Sequence, residues 1–446
     1  MKPTSALLVL FPLLAAPTLA QDWPNWRGPS YDGSTEAQNL PVDFDREKGV
    51  LWAADMPGPS AGTPIVVGEH VFVSTVDGDE LAAMCLDRGT GKVLWKDAAG
   101  SGYKPAGTTI STTQLDRRSS YSAPSPVTDG ERVVFFFGNG DLVAYDLAGT
   151  RLWERNLQKD YGDFAFQWTF SASPTLWDGR LFLAVLQRDE PANERGKEGA
   201  ESFLLAMDPK TGETLYRHVR PSDAVKESLE SYATPIPHVG AEGRKELLVV
   251  GGDVITGHDP ATGDELWRWG TWNPGHREAW WRIVPSAVVG DGVALVCAPK
   301  RAPVYAVPLG GDGTLDQEAF QWRSEGKRNP VSSDVPTPLF YRDRFFVLSD
   351  VRAALSRVNP KDGAVEWTTS LPGKSPWRAS PTGADGKIWF QSHEGRVVVV
   401  DADSGEIVHE AILGEEDADQ IRSTVVVAHG RLFIRTNSKL YCIGSE

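Results

Sequence analysis

Short hydrophobic runs separated by turn residues recur along most of the chain. From Ser171 to Val185, a proline precedes an apolar run, an Asp-Gly turn follows, and a second apolar run closes the unit. Two short apolar runs around a tight turn are typical of a β-hairpin. Because the same order of residue types recurs, the pattern predicts an internally repeated β protein. Related hairpins begin at Gly62, Ser125, Thr337 and Arg378, with weaker copies at Thr234, Pro285 and Ser423.

A polar turn followed by an aromatic residue comes after the hairpins. The first copy runs from Asp87 through Thr90 and Gly91 to Trp95. Asp and Thr side chains bond to the backbone of such a turn, and Gly supplies its positive φ. Hairpin and turn together predict four short strands in each repeat, as in a propeller blade. The residues that close the copies are Trp95, Trp153, Tyr216, Trp267, Trp322, Trp367 and His409.

The number of repeats predicts an all-β fold, an eight-bladed β-propeller of four-stranded antiparallel blades over residues 21–446. Seven complete units lie between residues 62 and 417, and the eighth is split between the two ends of the chain. Residues 423–443 supply only a hairpin, whereas an unmatched turn and aromatic residue lie at Asp45 to Trp52. Pairing these segments would close the ring and remove two sheet edges. Seven blades is the alternative if the irregular unit from Pro285 to Trp322 is not a blade.

The Asp-x-x-Thr-Gly-x-x-x-Trp element resembles the tryptophan-docking repeat of the quinoprotein, or pyrroloquinoline-quinone (PQQ), propeller superfamily. The resemblance implies that the repeat's tryptophans, including Trp52, pack on a neighbouring blade and are structural. Tyr216 and His409 depart from the pattern at two positions. The superfamily contains PQQ- and calcium-dependent dehydrogenases, and also the non-catalytic BamB-like scaffolds of outer-membrane protein assembly. Both functions are therefore expectations for this chain.

Cysteine positions and chain length favour the scaffold group. Cys85, Cys297 and Cys442 stand far apart, so the chain lacks the adjacent-cysteine disulfide of the PQQ alcohol dehydrogenases. Its 446 residues are short for those enzymes but suit a scaffold. The segment from Trp23 to Gly33 also resembles the opening of exported PQQ-like propellers of planctomycete-type bacteria. Gln21 stands where the lipoproteins carry their anchoring cysteine, so the resemblance implies no lipid anchor.

Charge and the first twenty residues bear on partners and location. The formal net charge of −15 at pH 7 disfavours contact with nucleic acid. Residues 1–20 combine one lysine, an apolar stretch and a small-residue ending, which predicts a signal peptide and an exported, soluble protein. The other apolar runs fall short of the ~20 residues that span a bilayer. We expect no membrane span, a monomer, and a protein partner in the cell envelope.

Bulky or charged residues stand just before the first strand of most blades. First strands line the central channel of a propeller, so these residues should surround one mouth of it. Trp, Tyr and Arg with one Asp suit a planar or anionic small molecule, or a peptide. The alternative is that they only seal the channel. The candidate residues are Arg118, Tyr121, Trp168, Tyr232, Trp281, Arg282, Asp334, Trp377, Arg378 and Arg422.

Catalytic and metal-binding motifs are missing from the sequence. There is no HExxH pair, P-loop, GxSxG elbow or complete calcium loop, so neither a metal nor a cofactor is expected. The leading hypothesis is an exported, non-catalytic scaffold. The alternative is a small PQQ-dependent dehydrogenase with calcium. In that case the resemblance implies that Arg118, Arg282, Arg378 or Arg422 binds the quinone carboxylates and that Asp334 is the general base.

Overall fold

Eight sheets, each with four antiparallel strands and one with an added fifth strand, form the body of the protein. The computed structural model describes residues 21–107, 111–270, 272–326 and 329–445. The predicted signal peptide, residues 1–20, lies outside the described residues. Each sheet is one blade, and the first strands of neighbouring blades contact one another around the channel. The predicted all-β, eight-bladed propeller is confirmed, and the unit from Pro285 to Trp322 is a blade.

Blades 1 to 7 follow one another along the chain, and the order of strands within each is the order from the channel outward. Their strands are Ile65–Val67, His70–Asp77, Glu80–Asp87 and Val93–Ala98 in blade 1; Val127–Thr128, Arg132–Phe136, Asp141–Asp146 and Arg151–Asn156 in blade 2; Thr175–Trp177, Arg180–Val185, Phe203–Met207 and Thr214–Val219 in blade 3; Ile236–Val239, Lys245–Gly251, Val254–His258 and Glu265–Trp269 in blade 4; Val288–Gly290, Val293–Cys297, Val304–Pro308 and Trp322–Arg323 in blade 5; Leu339–Tyr341, Arg344–Ser349, Ala354–Val358 and Val365–Ser370 in blade 6; and Thr382–Ala384, Lys387–Gln391, Arg396–Asp401 and Ile407–Ile412 in blade 7.

Blade 8 joins the two ends of the described chain. Val426–Ala428, Arg431–Arg435 and Lys439–Ile443 form its inner strands, and the N-terminal strand Val50–Asp55 pairs antiparallel with Lys439–Ile443. Trp52 lies opposite Cys442 in this register. The predicted pairing of the two ends is therefore confirmed. It matters physically because the N-terminal strand covers the edge of Lys439–Ile443 that would otherwise be unpaired.

Few residues lie in other elements. Gly313–Thr314 adds a parallel fifth strand to blade 4, and Gln114–Asp116 pairs with Ser119–Ser120 in a small hairpin. Among the described residues, no helix has the length and apolar character needed to cross a bilayer. The helices are the α-helix Leu157–Tyr161 and the 3₁₀ helices Lys226–Leu229, Ala241–Gly243 and Pro274–His276.

The closing aromatic residues dock each blade onto the next. The indole N–H of Trp95 donates to the carbonyl of Leu147 in blade 2 at 3.0 Å. A Cβ added to Gly149 would lie 2.6 Å from this ring, so the turn needs glycine there. Trp267 is the exception, because blade 5 has no Thr-Gly turn to receive it; its indole donates to Glu246 of its own blade. The equivalent donations come from Trp52, Trp153, Tyr216 and Trp322.

The hydrophobic core is divided into layers between neighbouring blades. One layer joins Phe72 of blade 1 to Phe135 and Tyr145 of blade 2, and others follow around the ring. Each blade therefore buries both of its faces. All three cysteines are buried and unpaired, as expected of small apolar core residues.

Candidate functional site

A belt of Ser and Thr residues surrounds the channel. In seven of the eight blades, a hydroxyl residue at the start of the blade accepts a hydrogen bond from the backbone N–H of its counterpart in the preceding blade. Seven such bonds measure 2.9–3.0 Å. The repeated Ser-Pro and Thr-Pro pairs signal this belt in the sequence, but they predict only hairpins there. Its members are Thr63, Ser125, Ser173, Thr234, Ser286, Thr337, Ser380 and Thr424.

The segment before the first strand crosses one end of the channel. Trp23 forms a β-bridge with Val66 in blade 1, and Ser34 forms one with Gly383 in blade 7. Between them, the Tyr31 hydroxyl donates to the carbonyl of Leu176 in blade 3 at 2.9 Å. Since these contacts reach blades on opposite sides of the ring, the segment closes this end of the channel.

Arg27 anchors the segment to the starts of blades 6 and 7. Its side chain is fully buried and donates to the carbonyls of Pro338 at 2.7 Å and Pro381 at 3.1 Å. Burial lowers the Arg27 pKa to about 10, and the nearby Asp32 carboxylate only partly opposes this. The preceding residue, Trp26, lines the cavity on the other side of the segment. The N-terminal segment is thus the floor of that cavity, a role that no sequence motif indicated.

The opposite end of the channel holds a cavity of about 190 Å³. Six of the ten residues predicted to surround the mouth line it. Val284 and Val335 add apolar surface, and Asp116 contributes a carboxylate. The six are Arg118, Trp168, Tyr232, Arg282, Arg378 and Arg422.

The other four predicted residues do not line the cavity. Trp377 is buried against Phe390, and Trp281 packs into the core between blades 4 and 5. Each directly precedes an arginine that does face the cavity. Successive side chains of extended backbone point in opposite directions, so only one of each pair can face inward.

Tyr121 and Asp334 depart from the prediction in different ways. Tyr121 is buried beside a separate small hollow lined by Phe166 and Phe170. Asp334 lies behind the cavity wall, where it accepts hydrogen bonds from both terminal nitrogens of Arg282 at 2.9 and 3.0 Å. Asp334 therefore orients a cavity arginine rather than facing the channel itself.

The Asp334–Arg282 pair is held ionised. Burial by itself would raise the pKa of Asp334, but the hydrogen bonds and charge of Arg282 outweigh it and lower the pKa. The backbone N–H of Lys300 donates to the same carboxylate at 2.8 Å. Asp350 accepts a hydrogen bond from the backbone N–H of Asp334, and burial raises the pKa of Asp350. Its Oδ2 atom lies 3.5 Å from Nε of Arg378.

A buried polar cluster supports the aromatic side of the cavity. Glu230 is inaccessible and forms an ion pair with Arg188, while the Tyr232 hydroxyl donates to its carboxylate. Burial raises the Glu230 pKa to about 7 despite the charge of Arg188. The Tyr232 oxygen in turn accepts the backbone N–H of Trp168 at 3.1 Å. Trp168 is thereby fixed, and the Arg118 guanidinium stacks 4.1 Å from its ring centre.

Metal ligands are not grouped in the part of the chain that the structure describes. No three His, Cys, Asp or Glu side chains there are arranged to hold an ion. The carboxylates Asp334 and Asp350 near the cavity already accept hydrogen bonds from arginine or backbone donors. Calcium needs six to eight oxygen ligands. These carboxylates do not offer that set, because the oxygens of Asp334 are committed to Arg282.

Residues 35–188 and 251–444 match the PQQ_2 family, described as "Outer membrane protein assembly factor BamB". The chain belongs to this family. The matched residues include all four strands of blades 1, 2 and 5 to 8, the first two strands of blade 3 and the last two strands of blade 4. The resemblance to PQQ-like, BamB-like propellers is confirmed.

More distant likenesses extend to dehydrogenases. Polyvinylalcohol dehydrogenases of Pseudomonas sp. and Sphingopyxis sp. (strain 113P3) are 26% and 27% identical over 44% of this chain. This chain matches only 28% of the length of either relative.

Solved structures of both kinds share the fold. The quinohemoprotein alcohol dehydrogenase of Comamonas testosteroni has a TM-score of 0.64 at 14% identity, covering 97% of this chain and 82% of its own. BamB of Moraxella catarrhalis has a TM-score of 0.60 at 13% identity, covering 88% of this chain and 99% of its own. These likenesses show the propeller and no more.

Proposed function

We propose that this protein is an exported, non-catalytic propeller that binds a protein partner of the cell envelope at the arginine-lined cavity. One observation carries the proposal. The open end of the channel presents four arginines with Trp26, Trp168 and Tyr232, and Trp, Tyr and Arg are the residue types that dominate binding at protein interfaces.

The charge state of the site supports binding rather than catalysis. A general base must be free to take a proton near the working pH. Asp334, the predicted base, has a lowered pKa and both carboxylate oxygens bound by Arg282. Membership of the BamB family supports the same conclusion. The eight-bladed body and its Ser/Thr belt supply a rigid frame for the cavity.

Capture of the partner in living cells tests the proposal. The full-length tagged protein is expressed in its native cells, cross-linked through surface amines, purified from the envelope fraction and analysed by mass spectrometry. Arg378→Glu reverses a charge inside the cavity, and Arg117→Glu makes the same change at an exposed position outside its lining.

We expect one envelope protein to be recovered with the wild type and with Arg117→Glu, but not with Arg378→Glu. An identical set of proteins from all three would contradict the proposal. So would the absence of any protein above the untagged control.

A second candidate is a PQQ-dependent dehydrogenase, favoured by the polyvinylalcohol dehydrogenase relatives. PQQ is a planar tricarboxylate, and the cavity arginines suit its carboxylates. The carboxylates around the cavity do not suit calcium, so no reaction step follows for this chain. Calorimetric titration of residues 21–446 with PQQ and Ca²⁺ distinguishes the candidates. Binding that is lost in Arg282→Ala and Arg378→Ala would favour the dehydrogenase, whereas no heat at high micromolar ligand would favour the scaffold.

A further inference from the structure

The four cavity arginines are not equivalent, because only one is matched to a carboxylate by hydrogen bonds. Arg282 forms the two-pronged pair with Asp334 described above. Paired guanidinium and carboxylate groups of this geometry are strongly bound to each other. The Asp334 carboxylate therefore largely neutralises the positive charge that Arg282 would present to a ligand.

Arg422 has only neutral hydrogen-bond partners. It donates to the side-chain oxygen of Gln420 at 2.6 Å and to Nε2 of His393 at 3.4 Å. Burial is the main cause that lowers the His393 pKa, and the positive charges of Arg422 and Arg378 add to it. The resulting pKa is about 3. The imidazole is therefore uncharged at neutral pH, so it neither neutralises the guanidinium nor adds a second positive charge beside it.

Arg378 and Arg118 also lack a hydrogen-bonded carboxylate. The Nε atom of Arg378 is buried without a hydrogen-bond partner, and Asp350 lies 3.5 Å from it, too far for a good hydrogen bond. Arg118 lies over the Trp168 ring, where the contact is with π electrons. All three guanidinium groups border the same cavity.

The three positive charges act on one another. After burial, the charge of Arg378 is the largest influence lowering the Arg422 pKa to about 10, and Arg118 acts in the same direction. Asp116 in the cavity lining and, to a smaller extent, the exposed Asp419 act in the opposite direction. The formal net charge of the whole chain is −15. A local excess of cations is therefore a property of this site and not of the composition.

We propose that Arg118, Arg378 and Arg422 form an oxyanion subsite that binds a carboxylate or phosphate group of the ligand. Such a group would accept hydrogen bonds from the free guanidinium N–H atoms and relieve the repulsion among them. Trp26 and Trp168 flank the subsite and would contact the organic part of the molecule. This inference rests on the proposed function in one respect: the group would belong to the partner that the cavity binds.

Calorimetric titration with two simple probes tests the subsite without any partner. Inorganic phosphate and citrate, a tricarboxylate, are titrated into residues 21–446 at low ionic strength. We expect one or both to bind, and Arg378→Gln and Arg422→Gln each to weaken binding about tenfold or more. Arg117→Gln removes an adjacent exposed charge outside the cavity lining and should bind as the wild type does.

The pattern of binding identifies the group. Phosphate binding alone indicates a phosphate ligand, and citrate binding alone indicates a carboxylate ligand. Arg118→Gln provides a variant at an exposed position in case the more buried substitutions impair folding, which thermal unfolding would reveal. Failure of both probes to bind at millimolar concentration would overturn the subsite. Equal binding by Arg118→Gln and Arg117→Gln would do so as well.

The two proposals can fail separately. If phosphate or citrate binds through these arginines while no envelope protein is captured, the subsite stands and the scaffold function falls. If a partner is captured through the cavity while neither probe binds, the scaffold function stands and the oxyanion subsite falls.

Discussion

Both ends of the central channel contain arginine, but the residues have opposite surroundings. At the closed end, Arg27 is fully buried and bonded to backbone carbonyls. At the open end, Arg378 and Arg422 are partly accessible and border a cavity. The same side chain therefore acts as a structural anchor at one end and as a candidate binding group at the other.

The difference lies in which acceptors are within reach. The carbonyls of Pro338 and Pro381 accept hydrogen bonds from the two terminal nitrogens of Arg27, and the fully buried side chain is out of reach of a ligand. Arg378 and Arg422 have few strong acceptors, so their donors remain available. Buried arginine is not by itself a sign of function. An arginine becomes a candidate binding group when its guanidinium donors are not already bound to acceptors within the protein.

Substitution at the closed end should have the largest effect on stability. Arg27→Leu leaves two buried carbonyls without donors and should lower the free energy of unfolding by about 3 kcal/mol. Denaturant unfolding of the purified protein measures the change. Arg117→Leu, at an exposed position, should change it by less than about 0.5 kcal/mol. A similar small loss in both variants would show that Arg27 does not anchor the segment.

At the open end, acid should destabilise the fold through His393. Its folded pKa of about 3 lies below the ~6.5 of an unfolded chain, so the unfolded state binds more protons between these values. The contribution is fully present above pH 6.5 and is lost as the pH falls towards 3. Lowering the pH from 7 to 5 should therefore reduce the free energy of unfolding by about 2 kcal/mol through this histidine.

Denaturant unfolding at pH 7 and pH 5 checks this prediction. The loss between the two pH values should shrink by about 2 kcal/mol in His393→Gln. His70→Gln, which removes a partly exposed histidine, is the control. An unchanged loss in His393→Gln would assign the acid sensitivity to other groups.

Each hydrogen bond of the Ser/Thr belt should contribute a small and similar amount to the free energy of unfolding. Ser173→Ala removes the oxygen that accepts the Ser125 N–H, and should cost about 1 kcal/mol by denaturant unfolding. Ser171 lines the cavity without belonging to the belt, so Ser171→Ala should cost less. Equal losses in the two variants would mean that the belt bond does not stabilise the fold.

The smallest effect on stability is expected at Arg118. Arg118→Gln removes the stacking on Trp168 and should cost about 0.5 kcal/mol in thermal or denaturant unfolding. Its effect on phosphate or citrate binding should be much larger in relative terms. If Arg118→Gln greatly lowered the stability without weakening phosphate or citrate binding, Arg118 would be a structural residue like Arg27.

Blade number and ring closure could be predicted because they depend on local signals. Each turn with its aromatic residue is a contiguous motif, and the unmatched pieces near Trp52 and at residues 423–443 require each other. The structural role of the tryptophans follows from the same repeat. Trp267 differs because blade 5 has no Thr-Gly turn to receive it, and the indole donates to Glu246 of its own blade instead.

The candidate site was predictable only in outline. The repeat pattern was enough to predict that residues before each first strand gather at the channel, and six of the ten predicted residues line the cavity. The pattern could not show which neighbour of each pair faces inward, as for Arg378 and Trp377, because alternation along extended backbone has a period but no absolute phase. The tertiary structure decided this, and also that Arg27 closes the channel and that Asp334 neutralises Arg282. Those contacts join residues that are distant in sequence, so no local pattern of residues indicates them.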